Sequence, residues 1–132
     1  MGGGFAMLLA PKSRGFAASA PNYGHVPKDA DTFFAGACPI VASFGGKDKM
    51  LRGAARRLEA ALTANDVSHD VKEYPDAGHS FLNDHLPSEI PVVMRVLGRI
   101  LGASESYHRP SAEDARRRIR AFFDAHLKSA ES

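Results

Sequence analysis

The chain is predicted to be an α/β protein built in three layers, a short and mainly parallel sheet flanked by helices. Pro39-Ile40-Val41-Ala42-Ser43-Phe44 is apolar at nearly every position instead of every second one, as a strand buried on both faces must be. A second extended run, Ser68 to Tyr74, stops at a turn rich in Pro, Asp and Gly. Between the two, Leu51, Ala54, Ala55, Leu58 and Leu62 fall on one side of a helix, with Arg52, Arg56, Arg57 and Glu59 on the other.

The remaining elements follow in order. Gly3 to Ala10 suits a short helix, glycine-rich and then apolar, which Pro11 to Gly15 breaks. Phe16 to Ala20 reads as a short first strand, and Asn22-Tyr23-Gly24 with Pro27 as a loop. Asp29 to Gly36 suits one or two helical turns, and Ile40 to Phe44 is the second strand. In Ser68 to Tyr74, Val71 is set among polar residues, as an edge strand allows. Ile90, Val93, Met94, Leu97 and Leu101 form a helical stripe whose start is set near Pro91. Ser111-Ala112-Glu113-Asp114, just after Pro110, has the pattern of a capping box, and Ala115, Ile119, Phe122, Phe123 and Leu127 make the stripe of a last helix. No internal repeat or low-complexity tract is present.

Two strand ends carry the chemistry. The run ending at Phe44 stops at Gly45 and Gly46 and then presents Asp48; the run ending at Tyr74 leads through Pro75-Asp76-Ala77-Gly78 to His79. In a parallel sheet both residues sit at the same C-terminal rim, where open α/β folds place their ligands. Imidazole titrates near neutral pH, so a histidine there can move protons. A carboxylate that accepts a hydrogen bond from one ring nitrogen fixes the tautomer and stabilises the imidazolium formed at the other. Either residue alone also fits a plain turn or a solvent-exposed role; their joint placement favours an acid–base pair.

Phe44-Gly45-Gly46-Lys47-Asp48 and Tyr74-Pro75-Asp76-Ala77-Gly78-His79-Ser80-Phe81 resemble the acid and histidine motifs of the dienelactone hydrolase family, within the α/β-hydrolase fold. Asn22-Tyr23-Gly24, the preceding Gly15-Phe16-Ala17-Ala18-Ser19-Ala20 and the opening glycines are similar to that family too, so the likeness runs from Met1 to the last helix. The order nucleophile, acid, histidine is that of the α/β hydrolases. The resemblance implies Asp48 and His79 as catalytic residues. The family's nucleophile lies on a turn of the type Gly-Phe-Cys-x-Gly-Gly, Ser replacing Cys in some members, and Met1-Gly2-Gly3-Gly4-Phe5-Ala6 matches the residues that follow it. The nucleophile is therefore expected one place before Met1, whose backbone N–H would be an oxyanion-hole donor but is a free amine in a chain starting there. Glycines beside Met1 would let the backbone approach the substrate and would begin a helix whose dipole favours negative charge.

Residues 1–132 are accordingly expected to be a single, truncated domain, resembling the C-terminal half of a hydrolase with its last three strands. The implied activity is hydrolysis of an ester or lactone, the substrate being a small molecule. The alternative is a catalytically inactive fragment that works as a binding or oligomerisation module. Whether the chain is itself an enzyme turns on the nucleophile. Tyr23 and Phe81 are candidates to line a substrate pocket, with burial in the core as the competing role for Phe81. Some family members hold a dienelactone carboxylate with an arginine shortly after the histidine; Leu82 or Asn83 stands there, which argues against dienelactone itself.

Composition bounds the rest. With 132 residues, 44% hydrophobic and 24% charged, the chain can bury a core and lacks the signature of disorder. Its formal charge is +2, and the one dense basic cluster, Arg116, Arg117, Arg118 and Arg120, is expected to be a solvated helix face, so no nucleic-acid partner is expected. Cys38 is the only cysteine, so no intrachain disulfide forms, and its place before Pro39 at the start of a strand puts it at the wrong end to act as nucleophile. His79, Asp84 and His85 match no standard ligand spacing, so no metal is expected; no dinucleotide or phosphate-loop motif implies a cofactor. Without a signal peptide or an apolar run of about 18 residues, no membrane association and a cytoplasmic location are expected. Missing upstream strands would expose a sheet edge, from which self-association or marginal stability is expected.

Overall fold

The parallel pairing of β1 (Ile40–Gly45) with β2 (His69–Tyr74) is the frame on which everything else hangs. The computed structural model describes residues 2–11, 14–83, 91–100 and 107–128. Ile40 stands opposite His69 and Gly45 opposite Tyr74, so both strands end at one rim. All six residues of β1 are buried, which explains its unbroken apolarity. β2 is an edge strand, only its last residue, Tyr74, being buried.

The other side of β1 is occupied by residues 19–22, which run parallel to it but touch it as two isolated bridges, Ser19 to Ile40 and Asn22 to Ser43. This differs from the expected strand at Phe16 to Ala20. The N–H groups of Ser19 and Tyr23 donate to Pro39 and Ser43, and the carbonyls of Ser19 and Pro21 accept from Val41 and Ser43. The rung between them needs an N–H at position 21, and proline has none. The ladder is broken there, although its direction is kept.

Helices cover both faces. On one side lie α1 (Gly2–Leu8), α2 (Ala30–Phe33) and α3 (Ala54–Ala64). Met7, Ala30, Leu58 and Leu62 join Phe34, Ile40, Ala42 and Phe44 in one core cluster. Leu51, Ala54, Ala55, Leu58 and Leu62 are all buried, as their spacing requires. Asp48 first caps a 3-10 turn over Lys49–Leu51, and Gly53, at a φ of 74°, restarts the chain as α3. On the opposite face α5 (Arg109–Leu127) lays Ala112 and Ala115 against Tyr74, Ala77 and Phe81. Three layers result.

The inward face of α5 departs from the expected apolar stripe. Arg118, anticipated on a solvated face with Arg116, Arg117 and Arg120, is turned onto the sheet, its side chain 12% exposed. Its guanidinium makes two bonds to the Asp70 carboxylate, at 2.7 and 2.9 Å, and others to the Asp70 carbonyl, the Tyr74 hydroxyl and Ser43 Oγ. Burial opposes its charge, but the bonds to Asp70 and Tyr74 outweigh that and hold its pKa above the ordinary arginine value. The rule that spaces apolar residues cannot foresee a cation that satisfies all its donors inside.

α4 (Val92–Ile100) also departs from expectation: Val93, Met94 and Leu97, three of the expected stripe, are exposed. Ile90 and Leu101 lie outside the described residues. Among the described residues, no helix is long and apolar enough to cross a membrane.

Candidate active site

Two glycines let the strand ends lock together. A Cβ on Gly45 would lie 2.3 Å from the Gly78 carbonyl oxygen, and one on Gly46 2.8 Å from Pro75 Cα. Because neither is there, the Gly46 N–H donates to the Tyr74 carbonyl at 2.7 Å and the Lys47 N–H to the Ala77 carbonyl at 3.0 Å. The turn after β1 is thereby stitched to the turn after β2. This is why the two motifs carry Gly-Gly and Pro-Asp-Ala-Gly: each fixes the other's residue at the rim.

Asp48 and His79 meet there. His79 Nδ1 lies 2.6 Å from Asp48 Oδ2, and Asp48 Oδ1 accepts the Met50 N–H at 3.0 Å. The Asp48 side chain is fully buried and that of His79 is 27% exposed. Nδ1 is taken by the carboxylate, so the other ring nitrogen, Nε2, is left for whatever enters from the cleft. The sequence placed both residues at one rim; the structure supplies their contact.

A cleft of about 390 Å³ opens beside the imidazole, walled by His79, Ser80, Leu82 and Asn83 on one side and by Gly2, Gly3, Ala20, Asn22 and Tyr23 on the other. Tyr23 sits 5.5 Å from His79, ring centre to ring centre, and its hydroxyl accepts the Leu82 N–H at 3.2 Å. Burial raises the Tyr23 pKa, against smaller opposing effects of that bond and of Arg116, so the phenol stays neutral at physiological pH. Phe81, expected either in a pocket or in the core, takes the core position: it is fully buried behind Tyr23, 5.6 Å from it edge-on. Leu82 and Asn83 do line the cleft, and the described wall residues include no arginine or lysine. Met1 lies outside the described residues, as do Asp84 and His85.

Sequence reasoning missed Asn22 and Ser80 as wall residues, although each adjoins a residue it had singled out. It also gave the opening glycines a different task. A Cβ on Gly3 would lie 2.0 Å from the Asn22 carbonyl oxygen, and one on Gly24 2.7 Å from Gly3, so these glycines allow α1 to pack backbone to backbone on the 22–24 loop. Cys38 is buried at the opposite end of β1, and burial raises its pKa, which disfavours the thiolate.

Layering, strand direction and a rim that joins Asp48 to His79 define an α/β-hydrolase fold. The chain belongs to the dienelactone hydrolase family, whose sequence model matches residues 1–127. It is 30% identical over 86 residues, 64% of this chain and 25% of the relative, to a candidate carboxymethylenebutenolidase of Escherichia coli (strain K12). A protein of the same description from Yersinia pestis is 29% identical over 93 residues, 70% of this chain and 28% of that one. The crystal structure of a candidate dienelactone hydrolase from Klebsiella pneumoniae subsp. pneumoniae MGH 78578 matches with a TM-score of 0.65 at 21% identity, covering 92% of this chain and 48% of that one. The matched stretch is thus about a quarter of the curated relatives' length and about half of the solved chain's.

Proposed function

We propose that Asp48 and His79 are the acid and the base of a nucleophile-His-Asp triad that hydrolyses an ester or lactone of a small molecule. The single observation that carries this reading is the 2.6 Å contact of His79 Nδ1 with the buried Asp48 carboxylate, beside an open cleft. The nucleophile is a Ser or Cys immediately before position 1 of this numbering, and the Met1 backbone N–H is an oxyanion donor. Gly2 and Gly3 in the cleft wall support that placement, since they bring the start of α1 beside the imidazole.

In this scheme Nδ1–H donates to Asp48 while Nε2 takes the nucleophile's proton as the oxygen or sulfur attacks the carbonyl carbon. The C–O bond of the ester breaks, and His79 returns the proton to the leaving oxygen, which in a lactone stays tethered to the acyl group. Water then attacks the acyl-enzyme, giving a proton to Nε2, and the nucleophile recovers it as the acid departs. Tyr23, Asn22 and Leu82 would flank the acyl group. Leu82 and Asn83 stand where some family members carry a carboxylate-binding arginine, and the described wall residues include no arginine or lysine, which supports neutral esters and lactones over dienelactone.

The second reading, a binding or oligomerisation module without catalysis, draws its support from the exposed Val93, Val96, Leu97 and Ile100 of α4. Hydrolysis of nitrophenyl esters by the protein purified from its native cells separates the two. The hydrolase reading expects turnover that falls by up to about 10⁶-fold in His79→Ala, to the residual that binding and the oxyanion hole supply. Turnover equal in the two proteins overturns it and leaves the module.

A further inference from the structure

A single hydrogen bond from Nδ1–H to the Asp48 carboxylate leaves the imidazole free to swing about that bond. Something else must fix its plane, and the described residues hold one side chain that does. The geometry points to Tyr23 as a positioning residue for His79, acting on the imidazole with its ring and on the loop that bears it with its hydroxyl. This builds on the acid–base reading of Asp48 and His79.

Three contacts carry it. The Tyr23 ring leans on the imidazole at 5.5 Å with 50° between the planes, and meets Phe81 edge-on at 5.6 Å. Its hydroxyl takes the Leu82 N–H at 3.2 Å. Residues 79, 81 and 82 are thus held by one tyrosine. Tyr23 is in turn fixed to β1, its N–H donating to the Ser43 carbonyl at 2.9 Å. The histidine is therefore held from two places along β1: through Asp48 just past the strand end, and through Tyr23 at Ser43. Tyr23 has a φ of 45°, a left-handed conformation that is strained for a non-glycine residue and persists where the surroundings dictate it. Ser80, beside the histidine, is also left-handed at 63°, so both sides of this contact are conformationally constrained.

The test is nitrogen NMR of the His79 imidazole in the full chain, at a pH where the ring is neutral, in wild type, Asp48→Asn, Tyr23→Phe and Tyr23→Leu. Wild type should hold the Nδ1–H tautomer, and Asp48→Asn should lose that preference. Equal tautomer ratios in wild type and Asp48→Asn sink the acid–base reading and this proposal with it. Tyr23→Leu frees the ring to swing into solvent, where Nε2–H is preferred, and the ratio of Nδ1–H to Nε2–H should fall at least about threefold. Tyr23→Phe keeps the ring and should restore the tautomer, while Leu82 amide exchange quickens because its acceptor is gone. A merely structural tyrosine would change amide exchange and melting but leave the tautomer as in wild type. If Asp48→Asn shifts the tautomer and Tyr23→Leu does not, the pair stands and the positioning role is wrong.

Discussion

Gly45 and Gly4 look alike in the sequence but face opposite fates on substitution. A Cβ at Gly45 meets two carbonyl oxygens of the 77–78 turn, at 2.3 and 2.7 Å, and these are backbone atoms that cannot rotate away. Gly45→Ala should push the His79 loop off the strand end and destabilise the protein by about 2–4 kcal/mol, read as a lower urea midpoint. Gly4 lies inside α1 with nothing within 4 Å of the added carbon, so Gly4→Ala should stabilise by about 0.5–1 kcal/mol. Asp48 and His79 were legible in the sequence because a strand that ends in a turn announces what it delivers to the rim. The reason for the flanking glycines was not, since a close approach between two turns far apart in the chain leaves no local mark. The Gly3 contact with Asn22 was hidden for the same reason. Tyr23 was legible as a pocket candidate, but its bond to Leu82 depends on a tertiary distance.

At the scale of elements, periodicity found α3 and β1 because each buries what its pattern says it should. It misjudged α5, where an arginine fills an inward position, and the strand before β1, where Pro21 removes one rung. α5 is the more instructive case. Arg118→Ala would remove the partner of the Asp70 carboxylate and leave Ser43 and Tyr74 without a donor, at a cost of about 2–3 kcal/mol in chemical denaturation. The same junction gives the fold its pH response. Burial pushes the Tyr74 pKa from 10.0 up to about 12, with Asp114 adding to the rise and Arg118 opposing it. The folded state then holds its proton where the unfolded chain has lost it. Stability from this group is complete below pH 10 and drains away as pH rises towards 12, by roughly 2–3 kcal/mol, measurable as a falling melting temperature that Tyr74→Phe removes. On the acid side the signs reverse. Hydrogen bonds from Lys72 and Tyr74 hold Asp114 below its ordinary 3.8, so its contribution is present above that value and lost as pH falls below it.

For the molecule as a whole, the apolar surface is the feature to explain. Phe5, Leu8 and Leu9 on and just after α1, Phe16, and most of α4 are exposed, with Val93 and Ile100 each 75% accessible. Monomeric proteins seldom leave such groups to water. Among the described residues, 19–22 pair as a strand with β1 alone, and the outer edge not covered by α1 is a further place for another strand. We expect the chain alone to self-associate, its sedimentation coefficient rising with concentration. A monodisperse monomer with a sharp, concentration-independent melting transition would contradict this. The three-layer architecture was readable from the order of strands and helices. The fate of α4 was not, because an apolar stripe states that a helix must be covered and says nothing about what covers it.

We propose that Asp48 and His79 activate a nucleophile lying immediately before position 1. The most direct measurement is mass spectrometry of the protein from its native cells after treatment with a serine-hydrolase probe and a thiol-directed probe. One adduct is expected, on a Ser or Cys at that position, lost in His79→Ala. A protein that carries no adduct there, with the Asp48–His79 contact intact, would contradict it.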